Sequence, residues 1–199
     1  MKIKVCGMKY PGNISAVAAL QPDYMGFIFY SQSPRFVAEL DVMEISAFKT
    51  GVFVNENIGK VKKLAGKYQL DAIQLHGNES TDYCEVFKDK VVVIKAFGVD
   101  ETFDFETLGP YAGKVDYFLF DTKTSKHGGS GQTFDWSLLD RYNLDVPFFL
   151  SGGISPENIA EVQSVTHPQF YGVDLNSKFE IEPGLKDIDK LRKAFDILR

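Results

Sequence analysis

Lys2-Ile3-Lys4-Val5-Cys6-Gly7-Met8 opens the chain with a short run of alternating basic and apolar residues that ends on a thiol and a glycine. It reads as a strand followed by a tight turn. Seven further runs of the same kind follow: Tyr24 to Phe29, Thr50 to Val54, Ala72 to His76, Val92 to Phe97, Tyr117 to Asp121, Pro147 to Ser151 and Phe170 to Leu175. Segments with helical spacing separate most of them, for example Ile58, Val61, Leu64, Ala65 and Tyr68, or Ile188, Leu191, Ala194, Phe195 and Leu198. Alternating strands and helices demand a parallel sheet, because parallel neighbours need a long crossover that a helix supplies. An open doubly wound sheet often carries a GxGxxG turn after its first strand, and Cys6-Gly7-Met8 lacks that spacing. A closed (β/α)8 barrel uses all eight units and fits in about 200 residues. The expected fold is α/β, a (β/α)8 TIM barrel forming a single compact domain over residues 1–199.

Composition agrees with one domain. The 199 residues are 44% hydrophobic with 17 Phe, enough to bury a full core. A net charge of -5, from 22 Lys+Arg against 27 Asp+Glu, leaves no basic surplus for nucleic acid. Apolar runs such as Val91 to Ile94 are far too short for a membrane helix, and the opening residues lack the apolar stretch of a signal peptide. The cytoplasm is the expected compartment. Cys6 and Cys84 are expected to be free thiols, with no Cys/His cluster for a metal. Glu79 and Ser80 open an acidic helix start, and Ser155-Pro156 reads as an N-cap with proline at the first helical position. The fifth helical segment, Glu101 to Ala112, contains Gly109 and Pro110 and reads as a short helical turn or a loop.

In such a barrel, function sits where the strands end. Cys6 closes strand one, where its sulfur lies at the rim if functional and in the core if not. Asp121 closes an apolar strand, where partial burial favours a proton on the acid; the plain alternative is a cap on the following turn. Gly152 and Gly153 after strand seven, with Asn176 and Ser177 after strand eight, are candidates for holding a phosphate, although the glycine pair also suits a simple left-handed turn. Arg35, after strand two, is either a carboxylate clamp or an ordinary surface arginine. His76 and Asp174 complete the pocket candidates. The Lys123 to Gly131 stretch reads as a mobile loop, with Gly128 to Gly131 as the hinge candidate, and Cys84 is read as core.

Taken in order, Lys4-Val5-Cys6-Gly7-Met8, Gly26-Phe27-Ile28-Phe29 with Ser33-Pro34-Arg35-Phe36, Gly51-Val52-Phe53-Val54-Asn55, and Ile73-Gln74-Leu75-His76-Gly77 resemble phosphoribosylanthranilate isomerase, a small barrel enzyme of tryptophan biosynthesis. Phe120-Asp121, Phe134-Asp135-Trp136, Leu150-Ser151-Gly152-Gly153-Ile154, Gly172-Val173-Asp174 and Pro183-Gly184-Leu185-Lys186-Asp187 extend the resemblance over nearly the whole chain. The resemblance implies an Amadori rearrangement of N-(5-phosphoribosyl)anthranilate, with Cys6 as general base, Asp121 as general acid, Arg35 on the anthranilate carboxylate and no cofactor or metal. It implies a small phosphorylated substrate, no nucleic-acid or membrane partner, and either a monomer or a homodimer. One departure stands out. Lys178 occupies the place of a glycine after strand eight, and its ammonium either assists the phosphate or points to solvent. Indole-glycerol-phosphate synthase and the histidine-pathway isomerase are disfavoured by Cys6, since each carries a different residue there. A non-catalytic phosphate-binding barrel has no use for a matched acid and base.

Overall fold

The computed structural model describes residues 1–40, 45–123 and 134–199. Eight parallel strands close into a barrel: β1 (Lys2–Cys6), β2 (Tyr24–Ile28), β3 (Phe48–Phe53), β4 (Ala72–Leu75), β5 (Val92–Val99), β6 (Tyr117–Thr122), β7 (Phe148–Leu150) and β8 (Phe170–Leu175). Closure is made by β8 pairing with β1, with Lys4 opposite Asp174 and Val5 opposite Leu175. The eight expected strands are all present; β1 and β8 have the expected ends, and the others differ by one or two residues. β3 starts at Phe48, β5 runs on to Val99, and β7 is trimmed to three residues, without Pro147 and Ser151.

The crossovers differ more. α1 (Pro11–Ala18) starts on proline, which fits the first helical position. α2 (Ile58–Tyr68) is capped by Asn57, whose Oδ1 accepts from Gly59 N at 2.8 Å. α3 (Thr81–Glu85) is capped by Ser80, and α4 (Ile188–Leu198) by Asp187, which accepts from the backbone N–H of both Asp189 and Lys190. Glu79 is not in the first turn of α3: it is buried before it, facing Lys95 at 3.2 Å. Phe105–Tyr111, Trp136–Arg141 and Ile159–Ser164 are 3₁₀ helices. A 3₁₀ helix rises about 2.0 Å per residue against about 1.5 Å for an α-helix, so it covers a barrel's height with fewer residues. Ser155-Pro156 therefore starts a turn that runs into a 3₁₀ helix, with Ser155 Oγ accepting from Glu157 N. Pro110 inside the Phe105–Tyr111 turn explains why that segment cannot become a regular α-helix.

Side chains alternate across each strand. Ile3, Val5, Met25, Phe27, Val173 and Leu175 face the outer layer, where most of the core lies. Inside the barrel, the end away from the strand C-termini is plugged by Tyr24, Ile94, Leu119 and Phe149, with Tyr117 and Tyr171 packed on them. Above that plug the interior turns polar, and Lys4, Thr50, Gln74 and Asp174 are buried there. A small antiparallel hairpin, β9 (Glu180–Glu182) and β10 (Leu185–Lys186), follows β8. No helix among the described residues is long and apolar enough to cross a membrane.

Candidate active site

A cavity of about 750 Å³, open side included, sits at the C-terminal mouth. Cys6, Arg35, His76, Asp121, Gly152, Gly153, Asp174, Asn176 and Ser177 all line it, so every expected site residue converges on one space. Cys84 packs in the core, as read. Gly128 to Gly131 lie outside the described residues.

Cys6 is buried, yet it lines the mouth. Gly26 on β2 makes that placement available: a Cβ there would sit 2.6 Å from the Cys6 sulfur. Burial pushes the Cys6 thiol up from its ordinary value, while the ammonium groups of Lys4 and Lys186 pull the other way. Lys4 Nζ donates to Asp174 Oδ1 at 2.8 Å, with side-chain exposures of 0% and 5%. Burial alone would lower the Lys4 ammonium, but Asp174 and Cys6 outweigh it and hold it above the usual lysine range. Burial raises the Asp174 carboxyl in spite of Lys4.

Asp121 is placed at the end of β6, with its side chain 20% exposed. Its Oδ1 accepts from Thr122 N at 2.8 Å, so it does cap the strand end. Its Oδ2 lies 3.4 Å from His76 Nε2, and His76 Nδ1 in turn meets Gln74 Nε2 at 2.7 Å. One carboxyl oxygen is thus engaged by the backbone while the other turns to the mouth. Gly152 (φ +82°) and Gly153 (φ +64°) form the left-handed turn allowed for in the sequence, and a Cβ on Gly152 would fall 2.4 Å from Thr122 N and 2.7 Å from Asp121 Oδ1. Only glycine lets the β7 loop pass so close to the acid.

Arg35 is not a surface residue. Its Nε and Nη2 donate to the Glu180 carboxylate at 2.9 and 2.7 Å, and Glu180 also accepts from Lys186 Nζ at 2.7 Å. A guanidinium offers two bidentate edges. Glu180 takes one and so orients the arginine. Lys186 additionally donates to Asn176 Oδ1 at 2.8 Å, and burial brings it down to about 8. Lys4, Gln74, Glu180 and Lys186 are the members that reading the strand ends overlooked. Lys4 and Gln74 sit two positions before Cys6 and His76, one step deeper on the same strand face, and that spacing could have revealed them. Lys178 is exposed and lies among the charges around Glu157, away from the lining of the mouth.

Comparison with known proteins decides the family. The model for N-(5'-phosphoribosyl)anthranilate isomerase matches residues 3–197. The chain belongs to that family. An N-(5'-phosphoribosyl)anthranilate isomerase of Parabacteroides distasonis is 51% identical over 200 residues, covering 96% of this chain and 90% of its own. The crystal structure of the phosphoribosyl anthranilate isomerase of Thermus thermophilus superposes with a TM-score of 0.87 at 28% identity, over 100% of this chain and 98% of that one. A further isomerase structure, in complex with reduced 1-(o-carboxyphenylamino)-1-deoxyribulose 5-phosphate, gives a TM-score of 0.80 at 32% identity, covering 98% of this chain and 97% of that one. As a member of the phosphoribosylanthranilate isomerase family, the chain is an isomerase built on a TIM barrel.

Proposed function

We propose that the whole chain, residues 1–199, works as one catalytic barrel that converts N-(5'-phosphoribosyl)anthranilate to 1-(2-carboxyphenylamino)-1-deoxyribulose 5-phosphate, a step of tryptophan biosynthesis in the cytoplasm. Asp121 gives a proton to the furanose oxygen as the C1–O bond breaks, which leaves an iminium at C1. The iminium acidifies C2, and the Cys6 thiolate takes the C2 proton to give the enolamine. Proton gain at C1 and loss from the C2 hydroxyl then yield the ketone. Cys6 ends protonated and Asp121 ionised, and exchange with solvent resets both.

Arg35 holds the anthranilate carboxylate with the guanidinium edge that Glu180 leaves. The glycine turn at Gly152 and Gly153, with Asn176 and Ser177 after the neighbouring strand β8, takes the phosphate. His76 and Asp174 serve as pocket residues, His76 beside the acid and Asp174 beside Lys4. Fixing both ends of the substrate places the sugar between acid and base. The observation that carries this reading is that a thiol and a carboxyl from β1 and β6 line one mouth together with Arg35 and the β7 glycine turn. Turnover of freshly made substrate by purified protein, with Cys6→Ala and Asp121→Asn beside it, tests the assignment.

A further inference from the structure

Lys4 is a lysine with no exposed side chain, inside a barrel whose neighbouring layer is apolar. A buried ion pair of this kind is no net gain for stability: desolvating each ion costs several kcal/mol, and an apolar pair of similar volume is often as stable or better. Something other than packing keeps it there. Lys4 faces Asp174 across the β1–β8 ladder and stands two residues before Cys6 on the same strand face, both side chains buried, so its ammonium meets the Asp174 carboxylate and favours a negative charge on the Cys6 sulfur as well.

The charged surroundings of Cys6 come from several elements. β1 supplies Lys4, β8 supplies Asp174, β10 supplies Lys186, and Glu180 of β9 holds Arg35 from the β2 loop. Across the mouth stand His76 and Asp121. On the near side three cations face two carboxylates, so the cluster carries one uncompensated positive charge until Cys6 ionises.

We propose that Lys4 is the positioning residue for Cys6: its ammonium is shared between Asp174 and the sulfur, and it stabilises the Cys6 thiolate when that forms. Asp174 competes for the same ammonium and tempers the effect. This rests on the reading of Cys6 as the base only for its catalytic meaning; the state of the sulfur is measurable without turnover.

The test is the ultraviolet absorbance of the thiolate against pH, taken as the difference between each protein and its Cys6→Ala counterpart so that Cys84 and the tyrosines cancel. Lys4→Met should move the Cys6 midpoint up by about one pH unit or more, the scale of a single lost charge interaction. Lys4→Arg should restore it to within about half a unit, and Asp174→Asn should move it down. Opposite signs for Lys4→Met and Asp174→Asn are not what general loosening of the barrel produces. If Lys4→Met fails to fold by circular dichroism, Asp174→Asn alone decides: a lower midpoint supports the proposal. A midpoint unchanged in Lys4→Met, or unmoved or raised in Asp174→Asn, overturns it. The pH profile of kcat/KM separates the two readings. A shifted sulfur midpoint that the profile ignores removes Cys6 as base and leaves Lys4 in place; an unmoved midpoint with activity lost in Cys6→Ala does the reverse.

Discussion

A single methyl group at Gly26 would place a carbon 2.6 Å from the Cys6 sulfur. The strand pairing of Cys6 with Gly26 in the β1–β2 ladder gives neither backbone room to retreat. Gly26→Ala is therefore expected to swing the thiol off its position and lower kcat by about 10-fold or more, since misplacement of about 1 Å can cost 10²-fold, and steady-state turnover checks it. Lys178→Ala should leave substrate affinity unchanged, because the side chain is exposed and sits near Glu157 rather than in the mouth; a titration with the reduced product analogue reads this directly. At this scale the sequence was readable wherever a residue ended a strand. Cys6, Asp121 and the Gly152-Gly153 turn were all found that way. Glu180 and Lys186 escaped because their roles depend on a turn after β8 that brings them back over Arg35, and no spacing along the chain announces such a return.

That turn is the β9–β10 hairpin, and the short element has a measurable task. Burial pushes the Glu180 carboxyl up, but Arg35 and Lys186 outweigh it and hold it below the ordinary glutamate value. A carboxyl depressed in the folded state contributes stability above its unfolded value of about 4.5 and loses it as pH falls through the folded value. Glu180→Gln should thus destabilise the protein at neutral pH and matter progressively less in acid below about pH 4.5, where wild type loses the same contribution. Urea midpoints of both proteins across that range check it. The same variant frees Arg35, so KM should rise. Asn13 anchors the hairpin to α1, donating to the Lys186 carbonyl at 2.9 Å and accepting from its N–H at 2.7 Å. Among the crossovers, the helices with clear apolar spacing, α2 and α4, were legible in the sequence. Of the 3₁₀ turns, Phe105–Tyr111 falls in the segment that reads as a short helical turn or a loop, whereas Trp136–Arg141 and Ile159–Ser164 were not legible, because six residues hold too few repeats to separate one helical period from another.

At the scale of the molecule, 199 residues are spread over eight strand-and-crossover units, and compact 3₁₀ connections are how so short a chain closes the barrel. The absence of GxGxxG after β1 together with eight strand runs was enough to choose the closed form, since strand count and order are carried by local composition. The polar middle layer was hidden, because a lysine and a glutamine inside strands look like solvent-facing positions of an alternating pattern. Beneath that layer Phe149 packs edge-on against Tyr24 at 5.3 Å, Tyr117 at 5.5 Å and Tyr171 at 5.2 Å. Phe149→Ala removes the centre of this plug and should cost about 3–5 kcal/mol in chemical denaturation. The claim that the mouth joins a base on β1 to an acid on β6 is tested most directly by following anthranilate-ester fluorescence when purified protein meets freshly made N-(5'-phosphoribosyl)anthranilate. Wild type should consume the substrate, while Cys6→Ala and Asp121→Asn, still binding the reduced product analogue, should each turn over about 100-fold or more slowly. Near-wild-type turnover in either variant, or no turnover by wild type, would contradict the account.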